Sequence, residues 1–572
     1  MIKTVINLIL IGCVFFIASF SKADTIYADS IYLNGTVITV DEKTPFAEAI
    51  ATKEGLIIAV GTSQEMSEFN GPLTSVVDLN NKTIVPGFID AHSHFVGVGA
   101  QAIVANLLPA PDGPVNTIAA LQESLRDFIK TSPMVKNYNV VIGFNYDDSQ
   151  LKEKRHPNRH DLDAVSTDYP IVVMHQSGHL GAYNSKALSL MGITAATPDP
   201  AGGIIEREAD GKTPSGVMQE NAHFMIFFKL LPEFTEEDLI TLYKAAQQSY
   251  VSNGFTTVQD GKTDQATLSV LPLMATNVGF DIDIISYADI ATLDDNPILH
   301  SELMSQEYTN GFRIGGVKLT FDGSPQGKTA WFTEPYFTPP NGQLASYSGY
   351  PAFTDEEALK WLSLAYKNKW QVLVHTNGDA AVDQLIRLVE TIQKTEDLGD
   401  HRTVMIHGQF TRKDQVAKLK ALGILPSLYP MHTFYWGDWH RDSVAGPTRA
   451  ENISPTGWMI KEGMPFTIHS DAPVTFPNSM RILDSAVNRV TRTAKVLGKE
   501  HKLSPLNALK AITLWAAYQN FEETIKGSIE VGKQADFVVL DQNPLSIDPL
   551  EIKYIKILQT INNGKTIFRN DR

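Results

Sequence analysis

The chain has 572 residues, 43% of them hydrophobic and 20% charged, enough to bury a large core as one big domain with appendages or as two to three domains. This composition excludes the disordered and fibrous classes. A formal net charge of −16 opposes binding to nucleic acid and to anionic membranes, so both partner classes are set aside.

Residues 1–23, MIKTVINLILIGCVFFIASFSKA, carry an early lysine, an uncharged apolar stretch from Thr4 to Phe20, and small residues at Ser21 and Ala23. That is the layout of a signal peptide cleaved after Ala23, which predicts a periplasmic or secreted protein. The stretch is shorter than the ~20 apolar residues of a membrane span, so no membrane attachment is expected after cleavage. Cys13, the single cysteine, lies inside it, leaving a mature chain from Asp24 without a thiolate for disulfides, catalysis or metal binding. Lipoprotein cleavage at the LIGC box, residues 10–13, is an alternative that the following VFFIASF argues against. Removing this segment takes away Lys3 and Lys22 and moves the net charge from −16 to −18.

Residues 24–82 alternate β-branched residues with turn signals, as in IYLNGTVITV with its Asn-Gly hairpin signal and EGLIIAVG after it. The far end, residues 527–572, is alike, with GSIEVGKQADFVVLD and ILQTINNGKTIF. Two such ends predict one small β-sandwich assembled from both termini, since separate sheets of this size would bury little.

Between the ends, short apolar runs alternate with helical stretches. The strongest runs are TIVPGFIDAH (83–92), FTTVQD (255–260), DIDIISY (281–287), RIGGVKLTF (313–321), WQVLVH (370–375), RTVMIH (402–407), GILPSLY (423–429) and PFTIHSD (465–471). Helices intervene, for example TEEDLITLYKAAQQSYVSNG, which Thr235 and Asp238 start as a capping box and Gly254 stops. Eight such units predict an α/β fold, a TIM barrel over 83–100 plus 231–526, with its active site at the C-terminal strand ends. About 160 residues separate the first two strands, far beyond an ordinary connection. Residues 101–230, with the strand-like runs YNVVIGF and PIVVMHQ, are therefore expected to form an inserted, lid-like subdomain over the barrel mouth.

The strand ends carry a selective set of donors. His92 and His94 are two apart, so on an extended strand both imidazoles face one side and can share a metal. His375 and His407 end two further strands, and Asp471 follows another. Each alone is as readily a core histidine or a helix cap; the barrel is what should converge them. Lys318 lies within an apolar run, with Val317, Leu319 and Phe321 on one face and Lys318 with Thr320 on the other. A buried ammonium must be paired, neutralised or chemically changed. Pairing with Asp322 or Asp471 is one solution.

The stretches PGFIDAHSH, HQSGHLGAYNSKAL, VKLTFDGS, HTNGD, IHGQ, HTFYWGDWHRD, HSDAPV and KGSIEVGKQADFVVLDQNPL resemble the amidohydrolase superfamily of metal-dependent hydrolases over essentially the whole chain from residue 26. The narrower likeness is to the amidohydrolase-3 branch of YtcJ-like proteins and N-substituted formamide deformylases. The resemblance implies that Lys318 is carboxylated by carbon dioxide and bridges two divalent metal ions, expected to be Zn2+. His92, His94 and Asp471 should then hold one ion, and His375 and His407 the other. It implies hydrolysis of an amide-like C–N bond in a small molecule by a metal-bridging hydroxide, with Asp471 moving the proton. Unmodified Lys318 beside a single metal, as in a mononuclear deaminase, esterase or lactonase, is the alternative within enzymes; a catalytically silent binding barrel is the alternative outside them.

Further candidates surround this set. His175 and His179 in HQSGHLG, Tyr146 in GFNYDD, Trp331 in TAWFTEPY, and His432, Trp436, His440 and Arg441 after the seventh strand are expected to face the pocket or to pack loops; His179, Tyr146, Trp331, His432 and Trp436 are carried as substrate contacts. GSPQGKT misses the phosphate-loop spacing by one residue, which excludes nucleotide binding by that motif. Neither a His-Glu-x-x-His nor a Gly-x-Ser-x-Gly motif occurs. A homodimer is a possible assembly.

Overall fold

A computed structural model describes residues 26–200, 202–340 and 342–570. The signal segment and its cleavage site lie outside the described residues.

Eight parallel strands form the central sheet: β1 (Phe88–Ile89), β2 (Phe255–Thr263), β3 (Asp283–Asp289), β4 (Phe312–Thr320), β5 (Gln371–Thr376), β6 (Val404–His407), β7 (Leu425–Leu428) and β8 (Thr467–Ile468). Each pairs with its sequence neighbour, and the sheet curls until its two edges meet. There the Asp471 N–H donates to the His92 carbonyl at 3.0 Å and the His94 N–H to that of Ala472 at 2.7 Å. The result is a TIM-like barrel, sealed at the end where the donors cluster.

The strand periodicity explains how it packs. On β4, Val317 and Leu319 face outward into one apolar cluster with Ala358 and Leu362 of helix Asp355–Lys367 and Leu385 and Val389 of helix Asp379–Gln393. The opposite faces bring Ile285, Tyr287, Leu373, Val404 and Ile406 together as a separate small cluster. The helix expected from Thr235 runs Glu236–Val251 with both halves of its capping box formed, and Gly254 follows at φ +83°.

Two elements depart from expectation. The run 83–92 is not one barrel strand. Thr83–Pro86 pairs with Thr36–Ile38 and Phe537–Leu540 in another sheet; only Phe88–Ile89 joins the barrel, and His92 and His94 lie in the connection beyond it. Gly87 stands between the two parts, where a Cβ would meet the Thr256 side chain at 2.4 Å. The Asn34-Gly35 turn also fails to make a hairpin. Asn34 adopts φ +57°, but the strands it joins, Ser30–Leu33 and Thr36–Ile38, belong to different sheets.

One of those sheets holds four strands from residues 30–78, and the other six strands from both chain ends. Tyr32, Ile50 and Ile57 of the first share an apolar cluster with Ile84, Phe537, Val539 and Ile561 of the second. A further six-stranded sheet lies between Ala105 and Glu220, and includes Val141–Tyr146 and Ile171–His175 from the two strand-like runs. It touches the barrel mouth where the Gln176 amide donates to the Val474 carbonyl at 3.0 Å and the Trp436 indole to Asp147 at 2.8 Å.

Candidate metal centre

The barrel brings together the six donors named from the strand ends. His92, His407 and Asp471 offer ligand atoms within 4.8 Å of one another. His94 Nε2 is 3.3 Å from Asp471 Oδ1, and the His375 ring centre is 4.6 Å from that of His407. Lys318, 2% exposed, places Nζ 3.1 Å from His92 Nε2.

Local backbone decides several of these positions. Strand alternation alone would send His407 outward with Met405, which lies in the outer cluster. His407 instead adopts φ +71°, a left-handed conformation that costs a non-glycine residue of order 1–3 kcal/mol and aims its ring at the mouth. Asp471 does the same at φ +53°. Gly261 on β2 is needed for a different reason: a Cβ there would lie 2.3 Å from the His92 ring.

The electrostatics suit cation binding. Burial pushes His92, His375 and His407 well below the usual imidazole range, which leaves neutral rings with a lone pair to donate. Burial also pulls Lys318 down to about 7. Its ammonium makes no ion pair with Asp322 or Asp471, so the pairing solution is not the one adopted. His92 Nδ1 is buried without a hydrogen-bond partner among the described residues. A set of neutral imidazoles, a carboxylate and an unpaired lysine, all buried at one point, fits divalent metal.

Three residues that strand ends did not single out hold these donors in place. His469 Nε2 is 3.1 Å from His407 Nδ1, and its own Nδ1 is 2.9 Å from the Ser427 hydroxyl. Asp322 lies 3.3 Å from His375 Nδ1 and accepts the backbone N–H groups of Trp331, Asn377 and Gly378 at 3.0, 2.8 and 2.7 Å. Asp90 accepts the Ser470 N–H at 3.0 Å and so fixes the turn that presents Asp471. Outer supports of this kind orient ligating histidines. The only sequence cue was proximity, His469 and Asp90 each standing two residues from a donor.

The remaining candidates separate. His179 reaches the donor cluster: its ring centre is 5.7 Å from that of His375, and its Nδ1 is 2.8 Å from Glu220 Oε2. Burial alone would lower this imidazole, but the Glu220 carboxylate outweighs it and holds it above its usual range. Trp331 is half-buried against the barrel core, with its carbonyl 1.8 Å from where a Gly378 Cβ would stand. His432 pairs with His440 at 2.9 Å and packs between Tyr429 and Trp436.

Tyr146 and His175 belong to a second group, where Asp147, Asp148 and His175 also offer ligand atoms within 4.8 Å. This group is satisfied internally. Asp147 accepts from Ser149 and from the Trp436 indole, and His175 Nδ1 accepts the Ser177 N–H at 3.0 Å. With the ring proton on Nε2, that nitrogen donates to Asp148 at 3.0 Å. Tyr146 bonds His156 at 3.1 Å beside it. Arg441 pairs with Asp438 and Asp442.

Comparison with known proteins identifies the family and the fold. The model of the Amidohydrolase family matches residues 75–568. N-substituted formamide deformylase of Arthrobacter pascens is 26% identical, covering 94% of this chain and 97% of that one. The protein YtcJ of Bacillus subtilis is 25% identical, covering 94% and 99%. A metal-dependent hydrolase from Pyrococcus horikoshii has the same fold, with a TM-score of 0.71 at 23% identity over 91% of this chain and 99% of that one.

Proposed function

The chain belongs to the amidohydrolase family, and from that premise we propose that it is an exported enzyme hydrolysing a C–N bond in an amide, N-formyl amine or cyclic amide, with two divalent metal ions, zinc first among them. The observation that carries this reading is Lys318. It is buried, pulled toward neutrality and unpaired among three buried histidines.

A neutral Lys318 amine can attack carbon dioxide, forming a new N–C bond and releasing one proton to solvent. The carbamate so formed is an anionic oxygen donor and resolves the buried-charge problem. His92, His94 and Asp471 would hold one ion, His375 and His407 the other, with carboxylated Lys318 between them. Bound metal would supply a hydroxide near neutral pH and polarise the substrate carbonyl. Asp471 takes up the proton of the nucleophile and returns it to the departing amine, which must leave protonated. His469 meets His407 Nδ1 at 3.1 Å, Asp322 lies 3.3 Å from His375 Nδ1, and His179, held by Glu220, stands beside the His375 ring.

Metal analysis of protein produced with bicarbonate tests the proposal. About two ions per chain are expected, with loss of at least one in Lys318→Ala and hydrolysis among N-formyl, N-acyl and cyclic amides. One ion per chain, undisturbed by Lys318→Ala, would replace the binuclear mechanism with a mononuclear one. No ion and no turnover would leave a silent barrel. Export rests on residues 1–23 and is checked by fractionating cells for a chain that begins at Asp24.

A further inference from the structure

One cation at the barrel mouth takes no part in the mechanism above. Lys262 is the penultimate residue of β2, next to the Gly261 that packs on His92. Its side chain is 40% exposed, and its ion-pair contact among the described residues, with Asp289, is loose at 3.9 Å. The ammonium stands 5.8 Å from the centre of the Phe224 ring. That ring lies 6.1 Å from His179, whose own ring centre is 5.7 Å from that of His375, so Lys262 borders the approach to the donor cluster.

The wall opposite comes from helix Asn221–Leu230, which starts directly after Glu220. Phe224 stands 6.1 Å from the His179 ring and 6.4 Å from Phe228, one turn further out on the same helix face. Phe228 is 58% exposed and Met225 beside it 54%. An apolar strip thus leads outward from His179, flanked by a part-exposed ammonium. Exposed aromatics next to a site mark recognition of an apolar group, and a weakly paired cation at their edge marks a negative one.

We infer that Lys262, Phe224 and Phe228 form a specificity site for amides that carry a carboxylate beside an apolar group, the carboxylate meeting Lys262 and the apolar part lying along the two rings. This deepens the amide-hydrolase reading and rests on it for the reaction, but the recognition is measurable without turnover. A charge-assisted contact to a carboxylate is worth about 1.5–3 kcal/mol, which corresponds to at least about tenfold in affinity.

Titration calorimetry on the metal-loaded protein compares 4-phenylbutyrate with its neutral counterpart 4-phenylbutanol. The acid is expected to bind at least about tenfold tighter. Lys262→Gln should collapse that ratio to near one, Lys262→Arg should keep it, and Phe228→Ala should weaken both ligands alike. Equal binding of the two ligands by the unaltered protein overturns the inference. So does a preference that survives Lys262→Gln, because the carboxylate would then be held by the metal donors. Intact acid preference without amide hydrolysis counts against the hydrolase reading alone.

Discussion

Asp471 carries the heaviest chemical load of any residue in the proposed reaction, being both a donor and the proton carrier. Asp471→Asn keeps a ligating oxygen but cannot take a proton, so kcat is expected to fall by about 10²–10⁴. Steady-state kinetics beside metal analysis checks this, with metal content the quantity that should change least. Gly261 gives a complementary test, since it acts only through the space it leaves for His92. Gly261→Ala drives a methyl group to 2.3 Å from the imidazole, and because that ring is enclosed by those of His94, His407 and His469 at 5.1, 5.5 and 5.4 Å it has little room to retreat. Loss of metal and of activity is expected with near-normal circular dichroism. His92, His94, Lys318, His375, His407 and Asp471 were all legible as donor types at strand ends. Glu220, Asp322 and His469 were not, because a supporting role depends on which neighbour a side chain meets.

At the level of elements, the loops after β4 and β5 are tied by the Asp322 carboxylate, and the 105–220 sheet is tied to helix Met431–Trp439 by the bond from Trp436 to Asp147. Trp436→Phe leaves a buried carboxylate oxygen without its donor, a cost of about 1–3 kcal/mol. Faster hydrogen exchange is expected in Val141–Tyr146, with the barrel strands little affected; unchanged exchange there would show that the bond does not couple the two parts. Periodicity found seven of the eight barrel strands to within a few residues. It misplaced the first because a continuous apolar run, TIVPGFIDAH, served two sheets in turn. Which sheet a strand joins depends on partners hundreds of residues away, as Thr83–Pro86 shows by pairing with Phe537–Leu540.

Across the whole molecule, acid sensitivity follows from histidines buried in their neutral form. Burial pulls His223, His440 and His501 down to about 3, against about 6.5 in an unfolded chain. Between those values the unfolded state binds more protons than the folded one, so stability rises with pH and drains away as pH falls below about 6.5. Each group contributes a slope of about 1.4 kcal/mol per pH unit in that window. Denaturant midpoints should therefore drop steadily from pH 6.5 to 5, and His223→Gln should reduce the slope. A flat profile over that range would mean that these rings accept protons without unfolding.

Sequence alone determined the barrel, the chemical identity of its donors and the question posed by a lysine in an apolar strand. Those features depend on local periodicity and on side-chain chemistry, which are properties of short segments. Tertiary structure decided that Lys318 meets His92 and makes no ion pair with Asp322 or Asp471, that His407 turns against the alternation of its strand, and that Ser149, Ser177 and Trp436 supply the partners of Asp147 and His175. It also placed Lys262 across from Phe224 and Phe228, which come from the segment between the first two barrel strands. Such facts depend on which distant segments the closed sheet brings within hydrogen-bonding range, and no short-range pattern encodes them.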